Sequence, residues 1–249
     1  GAGGMAGAGG MAGSGGMAGA GGMAGSGGMA GSGGMAGAGG MAGAMGAEIC
    51  KPGMAYGDPL PANRTPKKLR DTGFEGVEGP VWVASANAFF FSDLQRKSNQ
   101  NWAMASSAKI WKYTPANEMF EVFIAASGSN GLALTNDGKI LAATHSNGGL
   151  TIYDPADKTK MEVWLPGLNG QPFGSPNDLA VRADGNVYFS DPEWQKPAGR
   201  AGQGQRVYRV SPNKMVTTVD TMVSRPNGVS LSPDGNTLYV TDDQKNVWK

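Results

Sequence analysis

One unit recurs four times along this chain, and that recurrence limits the available folds more than any other feature. "EGPVWVASANAFFFSD" (78–93), "SNGLALTNDGKILAATH" (129–145), "SPNDLAVRADGNVYFSD" (175–191) and "RPNGVSLSPDGNTLYVTD" (225–242) share one plan. Each opens on a carboxylate or amide, runs through an alternating apolar stretch to a turn, and returns to an acidic residue or a histidine. The opening residues Glu78, Asn130, Asn177 and Asn227 lie 52, 47 and 50 residues apart. A period near 50 containing several short strands reads as the blades of a β-propeller, an all-β fold. In the last three copies Asp-Gly separates the two apolar runs, a strong hairpin signal because glycine tolerates the positive φ of such turns. Third and fourth strands follow: "KIWKYTP" with "MFEVFI", "LTIYDP" with "MEVWL", and "RVYRVSP" with "MVTTVD".

Propeller geometry locates a site before any chemistry is considered. In an up-and-down blade, the start of the first strand and the end of the second lie at the same end of the sheet. First strands line the central channel. Glu78, Asn130, Asn177 and Asn227 should therefore converge at one channel mouth. Asp93, His145, Asp191 and Asp242, which follow them by 15, 15, 14 and 15 residues, should ring the same face. Two long links, 94–108 and 192–205, emerge there and are candidate lids.

The rest of the chain is organised around this body. Residues 1–47 carry no charge, aromatic or proline and repeat Met-Ala-Gly-(Ala or Ser)-Gly-Gly, with Met at 5, 11, 17, 23, 29, 35 and 41. Glycine recurs at every third position, as in collagen, but proline is missing, so a flexible tether is expected. Residues 48–77 form a lead-in, and "PKKLRDTG" (66–73) could serve as a ring-closing strand. The body, 78–249, is large enough for a sizeable core. A net charge of +1 with scattered Lys and Arg gives no reason to expect nucleic acid, and no apolar run approaches the ~20 residues that span a bilayer. The single Cys50 is read as an idle thiol, or as half of a disulfide with a partner elsewhere. The sequence opens on Gly1, so a missing leader peptide carries no information.

A carboxylate and amide oxygens pointing into one channel suit a hard cation such as calcium, which takes six to eight oxygen ligands. No Cys-rich or multi-His cluster favours zinc. His145, the one histidine, is placed as a substrate contact or proton carrier, and Asp191 as a residue that orients substrate or water. Asn130 is a further substrate contact. Trp194, Trp102, Lys196, Arg200 and Arg206, in or beside the long links, could clamp an anionic or ring substrate. "GRAGQGQR" lacks the strand–loop–helix setting of a phosphate loop.

These motifs, in this order from about Gly73 to Lys249, resemble the gluconolactonase/SMP-30/luciferin-regenerating family of six-bladed propellers. The resemblance implies a calcium or other divalent cation at the channel mouth, held by Glu78 and Asn227, with Asn177 added as in related phosphotriesterases. It implies hydrolysis of lactones, the metal polarising the carbonyl and orienting water. The family's remaining ligand and general base is an Asp of a later blade, expected at about position 275. The sequence given ends at Trp248–Lys249, within the third strand of the fourth unit, so about three and a half blades are expected to be inactive alone and to expose strand edges. The sugar-lactonase branch carries an Arg two residues before the Asn of the third motif, where this chain has Ser175. Organophosphate or aryl-ester hydrolysis on the same site, or a non-catalytic surface propeller binding a sugar or protein, are the alternatives. The glycine-rich tract resembles the spacers of bacterial surface lipoproteins. It suggests a lipid anchor upstream and an extracytoplasmic location (secreted, periplasmic or surface-held).

Overall fold

Short alternating runs joined by tight turns leave each repeat one economical arrangement, an antiparallel meander. The computed structural model describes residues 65–95 and 107–249. The 1–47 tract, Cys50, Trp102 and most of the 94–108 link lie outside the described residues. The first sheet contains β1 (Val77–Val83), β2 (Ala88–Asp93), β3 (Lys109–Thr114) and β4 (Met119–Ile124). The second contains β5 (Ser129–Leu134), β6 (Ile140–Thr144), β7 (Gly149–Asp154) and β8 (Asp157–Leu165). The third contains β9 (Leu179–Val181), β10 (Val187–Asp191), β11 (Arg206–Val210) and β12 (Val216–Asp220). A three-stranded fourth sheet has β13 (Pro226–Leu231), β14 (Leu238–Asp242) and β15 (Val247–Trp248). Strand order in every sheet follows the sequence, and the first strands of consecutive sheets are neighbours, as in a propeller.

The inner hairpins form where Asp-Gly places them. Gly138, Gly185 and Gly235 sit at φ +80°, +82° and +68°, and each donates its amide three residues back, to Thr135, Arg182 and Ser232. The first blade lacks Asp-Gly and turns through a short 3-10 stretch, Ala84–Ala86, closed by Asn87 at φ 45°. Asparagine is among the few residues that enter this left-handed region readily.

Strand parity builds the core between blades rather than within them. In β6, Ile140 and Ala142 face the first blade, packing with Val83, Phe90, Ile110 and Phe123. Leu141 and Ala143 face the third blade, with Leu165, Leu179, Phe189 and Tyr208. Successive side chains leave opposite faces of a strand, so the four-residue run Ile140–Ala143 serves two cores and must be apolar throughout. Phe173, Phe189 and Tyr208 form an aromatic trio with centroids 4.9–5.1 Å apart.

The first strands break their own ladder at the channel. Register shifts fall between Glu78 and Val81, between Ser129 and Leu132, and between Pro226 and Val229. A bulge frees the local backbone from strict pairing and re-aims its side chains. The freed amide of Gly131 crosses to the next blade and donates to the Asn177 carbonyl at 2.6 Å. Residues 66–73, read as a possible ring-closing strand, form no strand. Their Arg70 instead lies over Phe74, Trp111 and Phe120, 4.9, 5.1 and 5.6 Å from the ring centroids. Among the described residues, no helix is long and apolar enough to cross a membrane.

Truncating Phe189 removes the centre of the aromatic trio between the second and third blades. Phe189→Ala is expected to cost about 3–5 kcal/mol, read as a lower denaturant midpoint at unchanged m-value. A loss below about 1 kcal/mol would show that this inter-blade packing does not carry the fold.

Candidate functional site

The four opening residues meet. Glu78, Asn130, Asn177 and Asn227 all line a channel-mouth cavity of about 280 Å³, and all four also line an adjoining one of about 490 Å³. Asn130 and Asn177 are buried, whereas Glu78 and Asn227 are exposed. The difference follows position, since the first and fourth blades each have one neighbour among the described blades.

A fifth polar residue, Asp178, shares the smaller cavity. In the other blades the residue after the ring residue is glycine: Gly79, Gly131 and Gly228. Those glycines make room. A Cβ on Gly131 would come within 2.6 Å of Asp178 Oδ1, and one on Gly79 within 2.6 Å of the Asn130 carbonyl. Asp178 Oδ2 accepts the amide of Val229, in the next blade, at 2.8 Å. Burial pushes the Asp178 carboxyl above its ordinary value, against the pull of the Val229 and Leu179 amides. Glu78 is raised as well, first by desolvation and then by the charge of Asp178. Sequence reasoning missed Asp178. The available signal was Asn-Asp in the third motif, where the second and fourth have Asn-Gly.

The larger cavity adds Glu75, Gly76, Leu94, Trp194, Gln195 and Arg225. Its one lining cation, Arg225, is already paired with Asp243 at 2.8 Å and lies over the Trp194 ring at 5.6 Å. The Trp194 indole nitrogen and the Gln195 side-chain oxygen are buried without a hydrogen-bond partner. Trp194 is thus the one described link residue, of those expected to clamp a substrate, that reaches the cavity.

The other candidates hold the scaffold. Arg200 donates to the carbonyls of His145 (2.6 Å), Ser146 (2.6 Å) and Gly174 (2.9 Å), fastening the 192–205 link across two blades. Lys196 pairs with Glu193 at 2.7 Å, and Arg206 donates to the Gln203 carbonyl at 2.8 Å. His145 is fully buried and lines neither cavity. Asp191, also fully buried, accepts the amides of Gly174 (2.8 Å) and Ser175 (2.7 Å). Asp93 and Asp242 likewise accept amide and indole donors, including Trp111 and Trp248. Ser175 is fully buried and accepts the Gln195 amide at 3.1 Å.

Chemically, the ring offers two mutually repelling carboxylates, three neutral amide side chains and no unpaired cation in its lining among the described residues. Those residues contain no group of three or more His, Cys, Asp and Glu side chains that could hold a metal ion. Any cation here would therefore draw on the amide oxygens, which suits a hard ion and not zinc.

Fold and site together define a β-propeller with an oxygen-rich channel mouth. Residues 77–249 match the SMP-30/Gluconolactonase/LRE-like region, and the chain belongs to that family. It is 30% identical over 203 residues to the gluconolactonase of Zymomonas mobilis, covering 74% of this chain and 54% of that one. It is 28% identical over 183 residues to the lactonohydrolase oryL of Aspergillus oryzae, covering 66% and 40%. The structure of a gluconolactonase from Xanthomonas campestris superposes with a TM-score of 0.59 at 23% identity, covering 70% and 58%, a likeness of fold. The chain spans about half the length of the relatives it matches in sequence.

Burial pushes the Asp191 carboxyl up to about 6, against the Ser175 and Gly174 amides. The folded protein then holds a proton that the unfolded chain has lost between about pH 4 and pH 6, so this contribution is present at low pH and lost as pH rises through 6. Asp137, Asp184 and Asp234 act oppositely. They are held low chiefly by Thr135, by the Asn186 amide and by Ser232, and their contribution is lost only below about pH 4. The thermal midpoint is therefore expected to rise from pH 7.5 to pH 5 and then fall. A midpoint that declines steadily from pH 7.5 downward would contradict this.

Proposed function

We propose that this chain forms the channel face of a divalent-cation-dependent lactone hydrolase. The observation that carries the reading is the convergence of Glu78, Asn130, Asn177 and Asn227 on one cavity, with Asp178 beside them. Kinship with gluconolactonases supports it. Glu78, Asn177 and Asn227 would hold the ion, calcium by the hardness of their oxygens. Desolvation and the Glu78–Asp178 repulsion both disfavour the charged carboxylates, and a cation relieves both. When bound, the ion supplies Lewis-acid polarisation of a carbonyl and lowers the pKa of water.

The adjoining cavity suits the ring of a substrate. Trp194 and Leu94 offer apolar surface, while Gln195 and Arg225 supply polar groups that a hydroxylated lactone can engage. Asn130, buried in the ring between the first and third blades, is placed to orient the ligand by its side-chain amide. Hydrolysis breaks the ring C–O bond, adds water and yields a hydroxy acid. The glycine-rich tract at 1–47 supports an extracytoplasmic, tethered protein, a reading tested by cell fractionation.

The test is hydrolysis of D-glucono-1,5-lactone by the full-length protein above its spontaneous rate, with and without chelator. Chelation should abolish the activity and calcium should restore it. Glu78→Gln should lower kcat/KM by about a hundredfold or more, since even outer partners of metal ligands cost about 10–100-fold. Activity indifferent to chelator would sink the metal reading. Preference for an aryl ester or phosphotriester would move the chain to the esterase alternative. Inactivity on all three, with calcium-dependent stabilisation retained, would favour a binding propeller.

A further inference from the structure

The acidic residues that end the second strands do different things in different blades, and the difference tracks the ring. Asp93 Oδ1 accepts the amides of Glu75 (2.8 Å) and Gly76 (3.1 Å), the residues three and two positions ahead of Glu78. Asp191 accepts the amides of Gly174 (2.8 Å) and Ser175 (2.7 Å), three and two positions ahead of Asn177. Both acids are fully buried. In the fourth blade the pattern breaks. Asp242 turns to its own downstream turn and accepts the amides of Gln244 and Asn246 at 2.9 Å each. The amide two positions ahead of Asn227, that of Arg225, is taken by Gln205 Oε1 at 3.1 Å. In the second blade the acid is replaced by His145.

The first strands are bulged or short where they reach the channel, so their own ladders do not fix the ring residues. Something else must set the approach of the chain. We propose that Asp93 and Asp191 are positioning residues: each pins the two amides ahead of a ring residue and thereby fixes Glu78 and Asn177 in the geometry that receives the cation. A carboxylate suits this task because it is acceptor-only, and each acid here takes two backbone N–H groups. At position 191, where each oxygen takes one amide, asparagine presents N–H toward one of those donors. At position 93, where Oδ1 takes both amides, it presents N–H toward Gln95 Nε2 and Trp111 Nε1, the donors that anchor the carboxylate through Oδ2. In each case a bond is lost and a donor left unsatisfied. Asp242, of the same type and at the same strand position, is an internal control because it holds no residue ahead of the ring.

This inference rests on the cation-site reading, and the experiment separates the two. Terbium luminescence and calcium calorimetry on the protein and on Asp93→Asn, Asp191→Asn and Asp242→Asn give the affinities. Asp93→Asn and Asp191→Asn are expected to weaken binding about 10–100-fold, with Asp242→Asn within about twofold of wild type. Equal loss in all three variants, or none in the first two, overturns the positioning role. A wild-type protein that binds neither ion overturns the cation reading instead. The positioning role is then decided without metal, from hydrogen exchange and amide resonances. Protected Glu75, Gly76, Gly174 and Ser175 amides in the wild type, with the Asn177 side-chain amide resonance displaced in Asp191→Asn, support it. Unprotected amides at those four positions overturn it, and the wild-type exchange measurement holds even where a variant fails to fold.

Discussion

Burial of the second strands of the first three blades on both faces is the constraint on which the rest of this structure depends. A strand with one wet face could belong to an isolated sheet, but β6 has none: Ile140 and Ala142 enter one core, Leu141 and Ala143 another. Each blade is consequently stable only as a neighbour. Packing the sheets face to face brings the first strands side by side, and a channel mouth follows from their shared direction. The polar ring is thus a product of apolar burial further out, and its residues contribute little to the core themselves.

Much of this was legible in the sequence because it is periodic or local. Alternation gave the strands, Asp-Gly gave three of the four inner turns, and the 50-residue period carried the convergence of Glu78, Asn130, Asn177 and Asn227. Asp178 escaped because parity reasoning assumes a strand at that point. The strand β9 begins only at Leu179, so Asn177 and Asp178 lie ahead of it, and two successive residues line one cavity. The link residues escaped for another reason. Arg200 finds its partners in three backbone carbonyls, and a carbonyl leaves no mark in a sequence. Trp194 and Lys196 are two residues apart in one loop, yet only the former lines the cavity.

The site is organised by unequal use of equivalent positions. Four blades offer the same place after the ring residue, three fill it with glycine and one with aspartate. Four second strands end at the same height, two with acids that reach back ahead of the ring, one with an acid that reaches forward, and one with histidine. Repetition supplies the frame, and single departures from it supply the chemistry.

Asp178 belongs to the third blade, but its Oδ2 is held by the Val229 amide of the fourth. The same carboxylate therefore faces the channel and stitches a seam between neighbouring sheets. One hydrogen bond thus makes the wall of the channel mouth and the joint between the third and fourth blades share a single side chain.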